Sequence, residues 1–419
     1  MKHIYTSVDI GSDSIKIVVC ELFKNKLNLL AASSFKSKGI KKGLITDVTA
    51  ATNSLKNGFK EIEQMLGIKI TKVIASIPSY FADFSMIKGS IKINSDDHVI
   101  SGDDVIDVLK EAMKAKMTAN KEMVTMLPID FTIDDKAGIK DPKGLVGGVL
   151  GVRAILATTP KKNIYSVVSL LYSLGIETID ISLNSIGDIY AFKTKDLENK
   201  VGAIINIGSE GTSVSLYNKG IIVKNSIIQL GGKNIDNDIA YMYKVDLKTA
   251  KTIKEKCALA HKMYASVNDV YEIETAYEEK IKINQFEVSE IAMSRIEEIL
   301  NLAKKEINLL TNKPIEYIII TGGTSNMAHF GYVAEDIFGK NVSIGNVKMI
   351  GIRNNKYSSA IGNVVYFINK LKLKGRDYTM LSEDDIENLS SPKRGLVNIS
   401  GSSMLGKVFG YFFGENEED

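Results

Sequence analysis

The sequence predicts an α/β protein with two lobes, in which a β-sheet domain is duplicated and the two copies face one cleft. Three observations support this prediction. The 419 residues are too many for one ordinary hydrophobic core. Two strand–turn–strand segments, VDIGSDSIKIV and INIGSEGTSVSL, share the spacing of an internal repeat. A third apolar strand, in EYIIITGG, also ends at a glycine turn.

The first lobe is predicted to comprise residues 1–83 and 161–199. It opens with a hairpin, because two runs of strand-forming residues flank the turn GSDS. The apolar spacing of the next segments predicts a helix and then a short buried strand, KVIASIP. The predicted elements are the hairpin Ile4 to Glu21, a strand around Lys26 to Ser34, the helix Thr49 to Leu66, the helix Lys162 to Leu174 and the strand IETIDIS.

Residues 84–160 are predicted to form a separate inserted subdomain. Apolar residues at helical spacing indicate a helix from Gly102 to Lys116. The region that follows, MLPIDFTIDDKAGIKDPKGLVGG, is punctuated by proline and glycine. The strand VRAILATT closes the insertion.

The second lobe is predicted to comprise residues 200–235 and 311–357, with a further subdomain at 236–310. It begins with the repeated hairpin and the strand GIIVKNSIIQL, and GGKNIDNDIA then turns into a helix. The charge-rich stretch from Leu247 to Leu310 is predicted to be helical throughout. The closing helix, at 358–374, is predicted to return to the first lobe.

The C-terminal part is predicted to contain a flexible linker at 375–401, a membrane-targeting amphipathic helix at 402–414 and an acidic end at 415–419. The linker is polar and lacks a sustained apolar face. The helix gathers apolar side chains onto one face, which can insert into a bilayer surface. Alternatively, this segment packs against its own body. The six side chains proposed to enter the membrane are Met404, Leu405, Val408, Phe409, Phe412 and Phe413.

Composition excludes several classes of function. The formal net charge is only +3, which argues against a nucleic-acid partner. Two distant cysteines, Cys20 and Cys257, indicate a reducing compartment rather than a disulfide framework. Four scattered histidines give no zinc-site pattern. We find neither a signal peptide nor a segment that could span a bilayer, so membrane contact is expected to be peripheral.

Three glycine turns follow apolar strands, at Gly11, at Gly208 and at Gly322-Gly323. Glycine brings backbone N–H groups within reach of phosphate oxygens, and Asp9 at a strand end can hold a metal-bound water. None of the turns matches the P-loop or the dinucleotide fingerprint. Each turn alone is also compatible with a plain loop, but their order and repetition favour a phosphate site.

These residues resemble the actin/Hsp70/sugar-kinase superfold. VDIGSDSIKIVV is similar to its first phosphate loop, GAIINIGSEGTSVSLY to its second and IIITGGTSNM to its adenosine loop. Within that superfold, GIKKGLITD, MLPIDFTIDDKAGIKDPKGLVG, GGKNIDNDIA and YSSAIGNVVYF resemble the FtsA family of bacterial cell-division proteins. The resemblance covers about residues 5 to 370 and the tail.

The resemblance implies that ATP binds between the lobes with Mg²⁺, which Asp9 would hold through water. By position, one group of residues would face the phosphates, Gly231 and Gly232 the ribose and phosphate side, Lys254 the adenine, and the third turn the adenosine. The complete set is Asp9, Gly11, Ser12, Ser14, Gly208, Gly211, Thr212, Gly231, Gly232, Lys254, Gly322, Gly323 and Thr324.

The second phosphate loop departs from the family pattern Asp-x-Gly-Gly-Gly. Asn206 stands where the carboxylate is usual, and Glu210 adds a negative charge near a polyanion. With Asp9 and Asn206 as the candidate catalytic residues, we expect slow or absent ATP hydrolysis. The alternative is that Glu210 points to solvent and that Asn206 suffices as a hydrogen-bond donor.

The resemblance also implies partners. It assigns a receptor for the C-terminal peptide of the tubulin-like FtsZ to the helix Ser289 to Leu310, where Arg295 and Glu298 match by position. The simpler interpretation of these charges is a solvated helix face with ion pairs. Further implied contacts are a head-to-tail filament through the inserted subdomain, other division proteins, and lipid on the cytoplasmic face of the membrane at the division site.

Two other functions stay open on sequence grounds. A small-molecule kinase of the same superfold would need a catalytic carboxylate near a sugar pocket, and we find no such motif. Another actin-like scaffold, of the shape-determining or pilus-assembly type, would also bind ATP and partners. The DPKG-type insertion argues against both, and the altered second loop favours a scaffold over an enzyme.

Overall fold

The computed structural model describes residues 2–79, 81–114, 120–275 and 280–390. The elements of the first half are β1 His3–Ile10, β2 Ser14–Phe23, β3 Lys26–Lys36, β4 Ile40–Lys41, β5 Leu44–Ile45, α1 Val48–Leu66, β6 Lys72–Ile77, β7 Asp83–Lys92, α2 Gly102–Met113, β8 Lys121–Ile133, β9 Lys136–Ile139, β10 Val149–Pro160, α3 Lys161–Ser173, β11 Glu177–Leu183 and α4 Asn184–Phe192. Those of the second half are β12 Val201–Ile207, β13 Thr212–Asn218, β14 Ile221–Ile228, α5 Gly232–Tyr243, α6 Leu247–Cys257, β15 Val270–Glu274, β16 Lys280–Asn284, α7 Gln285–Leu310, β17 Tyr317–Thr321, α8 Phe330–Phe338, β18 Val342–Ile344, α9 Ser358–Leu373 and α10 Glu383–Ser390.

Two five-stranded sheets share one topology. The order is β3-β2-β1-β6-β11 in the first lobe and β14-β13-β12-β17-β18 in the second. In each sheet three antiparallel strands are followed by two parallel ones. The weak internal repeat in the sequence therefore corresponds to a structural duplication, and the predicted fold class is confirmed.

The inserted subdomain is a four-stranded sheet, β7-β10-β8-β9, covered by α2. The helix approaches β7 closely at Gly89, where an added Cβ would lie 2.5 Å from the backbone nitrogen of Ala112. The region punctuated by proline and glycine after α2 includes β8, a long strand that contains Pro128. A register shift opposite Pro128, between Arg153 and Ala154, accommodates the missing N–H donor.

The prediction of a helical stretch from Leu247 to Leu310 was wrong in its middle part. The antiparallel hairpin of β15 and β16 separates α6 from α7. Their sequences, VYEIE and KIKIN, alternate polar and apolar residues as a strand with one buried face does. Helix α7 then begins at Gln285, earlier than predicted, because Asn284 caps it by accepting a hydrogen bond from Glu287 N.

Helices α4 and α9 cross in close contact beneath the cleft. An added Cβ at Gly362 of α9 would lie 1.7 Å from the carbonyl oxygen of Gly187 in α4, so only glycine fits there. Helix α4 was not predicted, and α9 extends to Leu373. Helix α9 begins more than 170 residues after the start of α4, and this crossing brings it close to β11.

Residues 376–390 are not a free linker, contrary to the prediction for 375–401. Met380 N donates to Ile4 O at 2.9 Å, and Ile4 N donates to Thr379 Oγ1 at 3.0 Å. Met380 and Leu381 are buried in the core of the first lobe, and α10 follows. These scattered apolar residues suffice for packing although they form no regular pattern. Residues 391–401 and the predicted amphipathic helix lie outside the described residues.

Candidate nucleotide cleft

A cleft of about 1290 Å³ lies between the two lobes. The turn between β1 and β2 contributes Asp9 to Ser14 from the first lobe. The turn between β12 and β13 lies opposite, with Gly208 to Gly211. The segment after β17 and the start of α5 complete the lining from the second lobe. The three glycine turns are thus brought together around one space.

The structure gathers most of the residues that the sequence singled out. Two do not line the cleft. Thr212 is fully buried and donates to the carbonyl oxygen of Leu230 at 2.8 Å. Gly231 packs against the second loop, where an added Cβ would lie 2.5 Å from Ser209 O. The predicted residues that line the cleft are Asp9, Gly11, Ser12, Ser14, Asn206, Gly208, Gly211, Gly232, Lys254, Gly322, Gly323 and Thr324.

Gly322 is required by both its backbone and its surroundings. Its φ of +93° is unfavourable for residues with a side chain. An added Cβ would lie 2.5 Å from both Asn206 Oδ1 and Ile207 O. The turn after β17 can therefore approach the end of β12 only because this residue is glycine.

The first lobe presents an ion pair at the cleft. Lys16 Nζ lies 3.1 Å from Asp9 Oδ2, and the two residues are cross-strand partners on β1 and β2. Both side chains are 14% exposed. Lys16 was missed in the sequence, although cross-strand pairing opposite Asp9 follows from a two-stranded hairpin with a short turn.

The second lobe presents an amide at the equivalent position. Asn206 Nδ2 donates to Asp188 Oδ2 at 2.7 Å, which leaves Asn206 Oδ1 on the side of Gly322. Asp188 is buried in α4 and also accepts hydrogen bonds from the hydroxyl groups of Ser358 and Ser359 at 2.8 Å. Burial raises the pKa of Asp188 to about 6, against the opposing effect of these three donors.

Glu210 does not point to solvent, contrary to the alternative considered from sequence. Its Oε2 accepts from Lys42 N at 2.9 Å, and its Oε1 lies 2.9 Å from Lys233 Nζ. A second contact joins the lobes, since Lys251 Nζ on α6 lies 2.9 Å from Asp13 Oδ1. Charged side chains therefore connect the lobes across the cleft.

Lys254 lies beside the start of α5. Its Nζ is 2.7 Å from Asp236 Oδ1 and donates to the carbonyl oxygen of Gly232 at 3.1 Å. The ammonium group is thereby committed to two partners on one helix. Its predicted approach to the adenine stays a prediction.

Positive charge predominates in the cleft. Of the described residues that line it, nine are lysines and five carry carboxylates. Burial, together with the charge of Lys16, lowers the pKa of Lys356 against the opposing effect of Glu255 and Asp13. Such a surplus stabilises a bound polyanion. Within the described part of the chain, no group of three or more His, Cys, Asp or Glu side chains could hold a metal ion alone.

Two family models match the chain. The model of the SHS2 domain inserted in FtsA matches residues 83–158, and the model of the cell division protein FtsA matches residues 203–362. Together they cover more than half of the sequence, including the insertion and the second lobe.

This chain belongs to the FtsA family of bacterial cell-division proteins.

Curated FtsA relatives match nearly the whole folded body. The cell division protein FtsA of Bacillus subtilis (strain 168) is 27% identical over 377 residues, which are 89% of this chain and 86% of the relative. That of Streptococcus pneumoniae serotype 2 is 28% identical over 361 residues, or 85% and 78% of the two chains. A role in bacterial cell division follows from this membership.

Solved structures share the actin-like fold of the FtsA family at low sequence identity. The PilM–PilN type IV pilus biogenesis complex contains a chain with a TM-score of 0.59 and 15% identity, covering 86% of this chain and 98% of that one. MreB5 of Spiroplasma citri bound to ADP has a TM-score of 0.53 and 15% identity, covering 89% and 98%. These likenesses establish the fold.

A small groove of about 320 Å³ lies at Arg295 and Glu298, the two residues singled out in the sequence as a partner-binding position. It lies between α5 and α7 and is lined by Asp238, Tyr241, Met242 and Arg295, among others. Arg295 donates to both carboxylate oxygens of Asp238, at 2.7 and 2.8 Å, and also pairs with Glu298. The structure thus brings Arg295 and Glu298 together in an ion-paired cluster at the groove.

No helix in the described part of the chain has the length and apolar character needed to cross a membrane.

Proposed function

We propose that this chain is an actin-like nucleotide-binding scaffold of bacterial cell division, which polymerises on the inner membrane and tethers FtsZ filaments to it. The observation that carries the proposal is the meeting of two topologically equivalent hairpin turns in one lysine-rich cleft. The SHS2 insertion and the relatives named FtsA support the assignment to cell division.

ATP with Mg²⁺ fits the chemistry of the cleft. Gly11, Ser12 and Ser14 would contact the phosphates from one side, and Gly208 with Gly211 from the other. Mg²⁺ prefers oxygen ligands, keeps several waters and is often held by one or two carboxylates together with substrate phosphates. The Asp9 carboxylate and Asn206 Oδ1 supply such oxygens, and the ion would neutralise phosphate charge. Gly322, Gly323 and Thr324 would cover the adenosine.

Slow or absent hydrolysis is the second part of the proposal. General base catalysis needs an acceptor within hydrogen-bond reach of the attacking water. At the second loop this acceptor would be the neutral amide oxygen of Asn206, since Asp188 lies behind it and is occupied by three donors. Asp9, paired with Lys16, is the remaining candidate.

The groove at Arg295 suits a short peptide with an acidic group. A peptide carboxylate could replace Asp238 or Glu298 as the partner of Arg295, because a guanidinium group recognises carboxylates through two parallel hydrogen bonds. Tyr241 and Met242 are 83% and 62% exposed and supply apolar contact beside the charge. We propose this groove as the receptor for the FtsZ C-terminal peptide.

The filament and the membrane contact complete the proposal. Leu145, Val146 and Val149 on the inserted subdomain are 40–65% exposed and suit a head-to-tail contact between copies. The apolar face that the sequence places at 402–414 would dock on lipid. One such segment binds weakly, but many copies along a filament bind by avidity.

The test is cosedimentation of the full chain with liposomes and with the FtsZ C-terminal peptide. We expect deletion of residues 402–419 to abolish sedimentation with liposomes and to leave peptide binding intact. Arg295→Glu should weaken the peptide and spare the liposomes. Lys305→Glu, an exposed charge reversal on the same helix, is the control and should alter neither. Liposome binding without the tail, or equal effects of the two reversals, would contradict the proposal.

A further inference from the structure

Glu210 lies at the tip of the second glycine turn, where hydrogen-bond donors from both lobes contact its carboxylate group. The backbone N–H of Lys42 donates to Oε2, and the ammonium of Lys233 to Oε1, both at 2.9 Å. The hydroxyl group of Ser12, which also lowers the pKa of Glu210, accepts a hydrogen bond from Gly43 N at 2.8 Å.

These donors are the kinds that bind a phosphate group. Backbone N–H groups at glycine turns, hydroxyl groups and ammonium groups all satisfy phosphate oxygens. Ser12 belongs to the first glycine turn, and the Glu210 side chain is only 20% exposed within the cleft lining. Partial burial alone raises the pKa of Glu210, but hydrogen bonds from Lys42 and Lys233 bring it below the ordinary value. The carboxylate is thus ionised at neutral pH.

We propose that Glu210 occupies the position of the terminal phosphate and makes the cleft selective for a nucleoside diphosphate over a triphosphate. This inference rests on the proposed nucleotide-binding function and specifies the ligand. A diphosphate leaves the carboxylate in place. A triphosphate must displace it, because two anions cannot share one set of donors, and the displaced charge then repels the ligand.

The position of Glu210 also links the selectivity between diphosphate and triphosphate to closure of the two lobes. Lys42 and Ser12 belong to the first lobe, whereas Glu210 and Lys233 belong to the second. While the carboxylate stays in place, it holds the lobes together. Asn225 Nδ2 of β14 donates to Ser79 O of the first lobe at 3.1 Å, and neither residue lines the cleft. This contact therefore provides a matched comparison for closure without occupancy of a phosphate position.

The experiment measures the affinities of ATP and ADP, each with Mg²⁺, by calorimetry on the full chain. Glu210→Gln keeps the size of the side chain and removes its charge, and Glu210→Gly removes the side chain. We expect both to raise the ATP affinity relative to the ADP affinity by roughly tenfold or more, the range of one charge-assisted hydrogen bond. Asn225→Ala should leave this ratio within about twofold of the wild-type value, because it removes a contact between the lobes outside the cleft.

The outcomes separate this inference from the proposed function. ADP and ATP binding by the wild type with an unchanged ratio in both Glu210 variants would overturn the inference and leave the function standing. ATP binding gained only when Glu210 is replaced would support both. Absence of binding in every variant, each with a cooperative unfolding transition as proof of folding, would overturn both.

Discussion

In the first lobe, the hairpin of β1 and β2 presents Asp9 at the cleft, paired across the strands with Lys16. In the second lobe, the hairpin of β12 and β13 presents Asn206 at the equivalent place, and its cross-strand partner is Ser213. Two carboxylates lie near this amide, Asp188 of the first lobe behind it and Glu210 at the turn of the second lobe. Duplication has thus preserved the sheet while the polar chemistry of the two halves has diverged.

The largest expected effect tests whether the stability of the second lobe depends on the glycine turn after β17. Gly322→Ala should lower the free energy of unfolding by about 2–5 kcal/mol, since it combines a left-handed backbone with overpacking against Asn206. Gly323→Ala is the matched control, because it has φ of −61° and open space around its Cβ position. Its effect should stay within about 0.5 kcal/mol. Urea denaturation measures both, and equal losses would contradict the steric argument.

The next prediction compares Lys16 and Lys233, the lysines that pair with Asp9 and with Glu210. Lys16→Met should cost about 2–4 kcal/mol of stability, because it leaves the mostly buried Asp9 carboxylate without its partner. Lys233→Met should cost less than about 1 kcal/mol, because that lysine is 45% exposed and solvent replaces it at Glu210. Chemical denaturation at neutral pH distinguishes the two. A larger loss for Lys233→Met would reverse the assignment of the structural ion pair to the first lobe.

A third prediction concerns the Asp188 carboxylate, which lies behind Asn206. Burial raises the pKa of Asp188 from 3.8 to about 6, so between these values the folded state binds a proton that the unfolded state does not. The contribution of this group to stability is therefore largest below pH 4 and declines as the pH rises through 6, by on the order of 2–3 kcal/mol. Asp188→Asn should remove this component from the pH dependence of the unfolding free energy. Parallel curves for the two proteins would contradict it.

An exchange of the side chains at positions 188 and 206 refines the prediction for Asp188. Asn206→Asp alone places two carboxyl groups within hydrogen-bond distance, and one of them must then hold a proton. The double variant Asp188→Asn, Asn206→Asp restores one carboxylate and one amide. We expect it to recover most of the stability that the single Asn206 substitution loses at pH 7.5. No recovery would show that the pair is not interchangeable.

The smallest expected effect concerns the contact between the lobes. Lys251→Met should change the free energy of unfolding by less than about 1 kcal/mol, because Lys251 and Asp13 are both more than one-third exposed. The change should also shrink as salt is added, since solvent ions screen such pairs. Denaturation at low and high ionic strength measures it, and a large, salt-independent loss would indicate a deeper coupling of the lobes.

The sequence predicted the duplicated hairpins and most of the cleft because both depend on local signals. Gly208 and Gly322 each follow an apolar strand directly, Asp9 is the penultimate residue of β1, and strand ends of equivalent sheets meet at one edge. Lys16 was accessible to the same reasoning, since it faces Asp9 across a short turn. These features can be predicted from residues that lie close together in the sequence.

Other features depend on distant contacts and could not be predicted in this way. Asp188 stands within the apolar run IGDIYAF, and its role depends on Ser358 and Ser359, which approach only because α4 and α9 cross at two glycines. Met380 and Leu381 likewise gain their core positions through β1, more than 370 residues earlier. The hairpin of β15 and β16 did carry a local signal, the alternation in VYEIE and KIKIN, which the surrounding charge obscured.

The attachment of Thr379 and Met380 to β1 has a mechanical consequence. Along Ile4 to Thr6, β1 has β2 on one edge only, since its pairing with β6 begins at Ser7. Thr379 and Met380 fill the other edge there, and Thr6 N also contacts Met380 Sδ at 3.2 Å. A pulling force on the C-terminal end of the chain would thus load the strand that leads to Asp9. The second lobe would remain outside that line of tension.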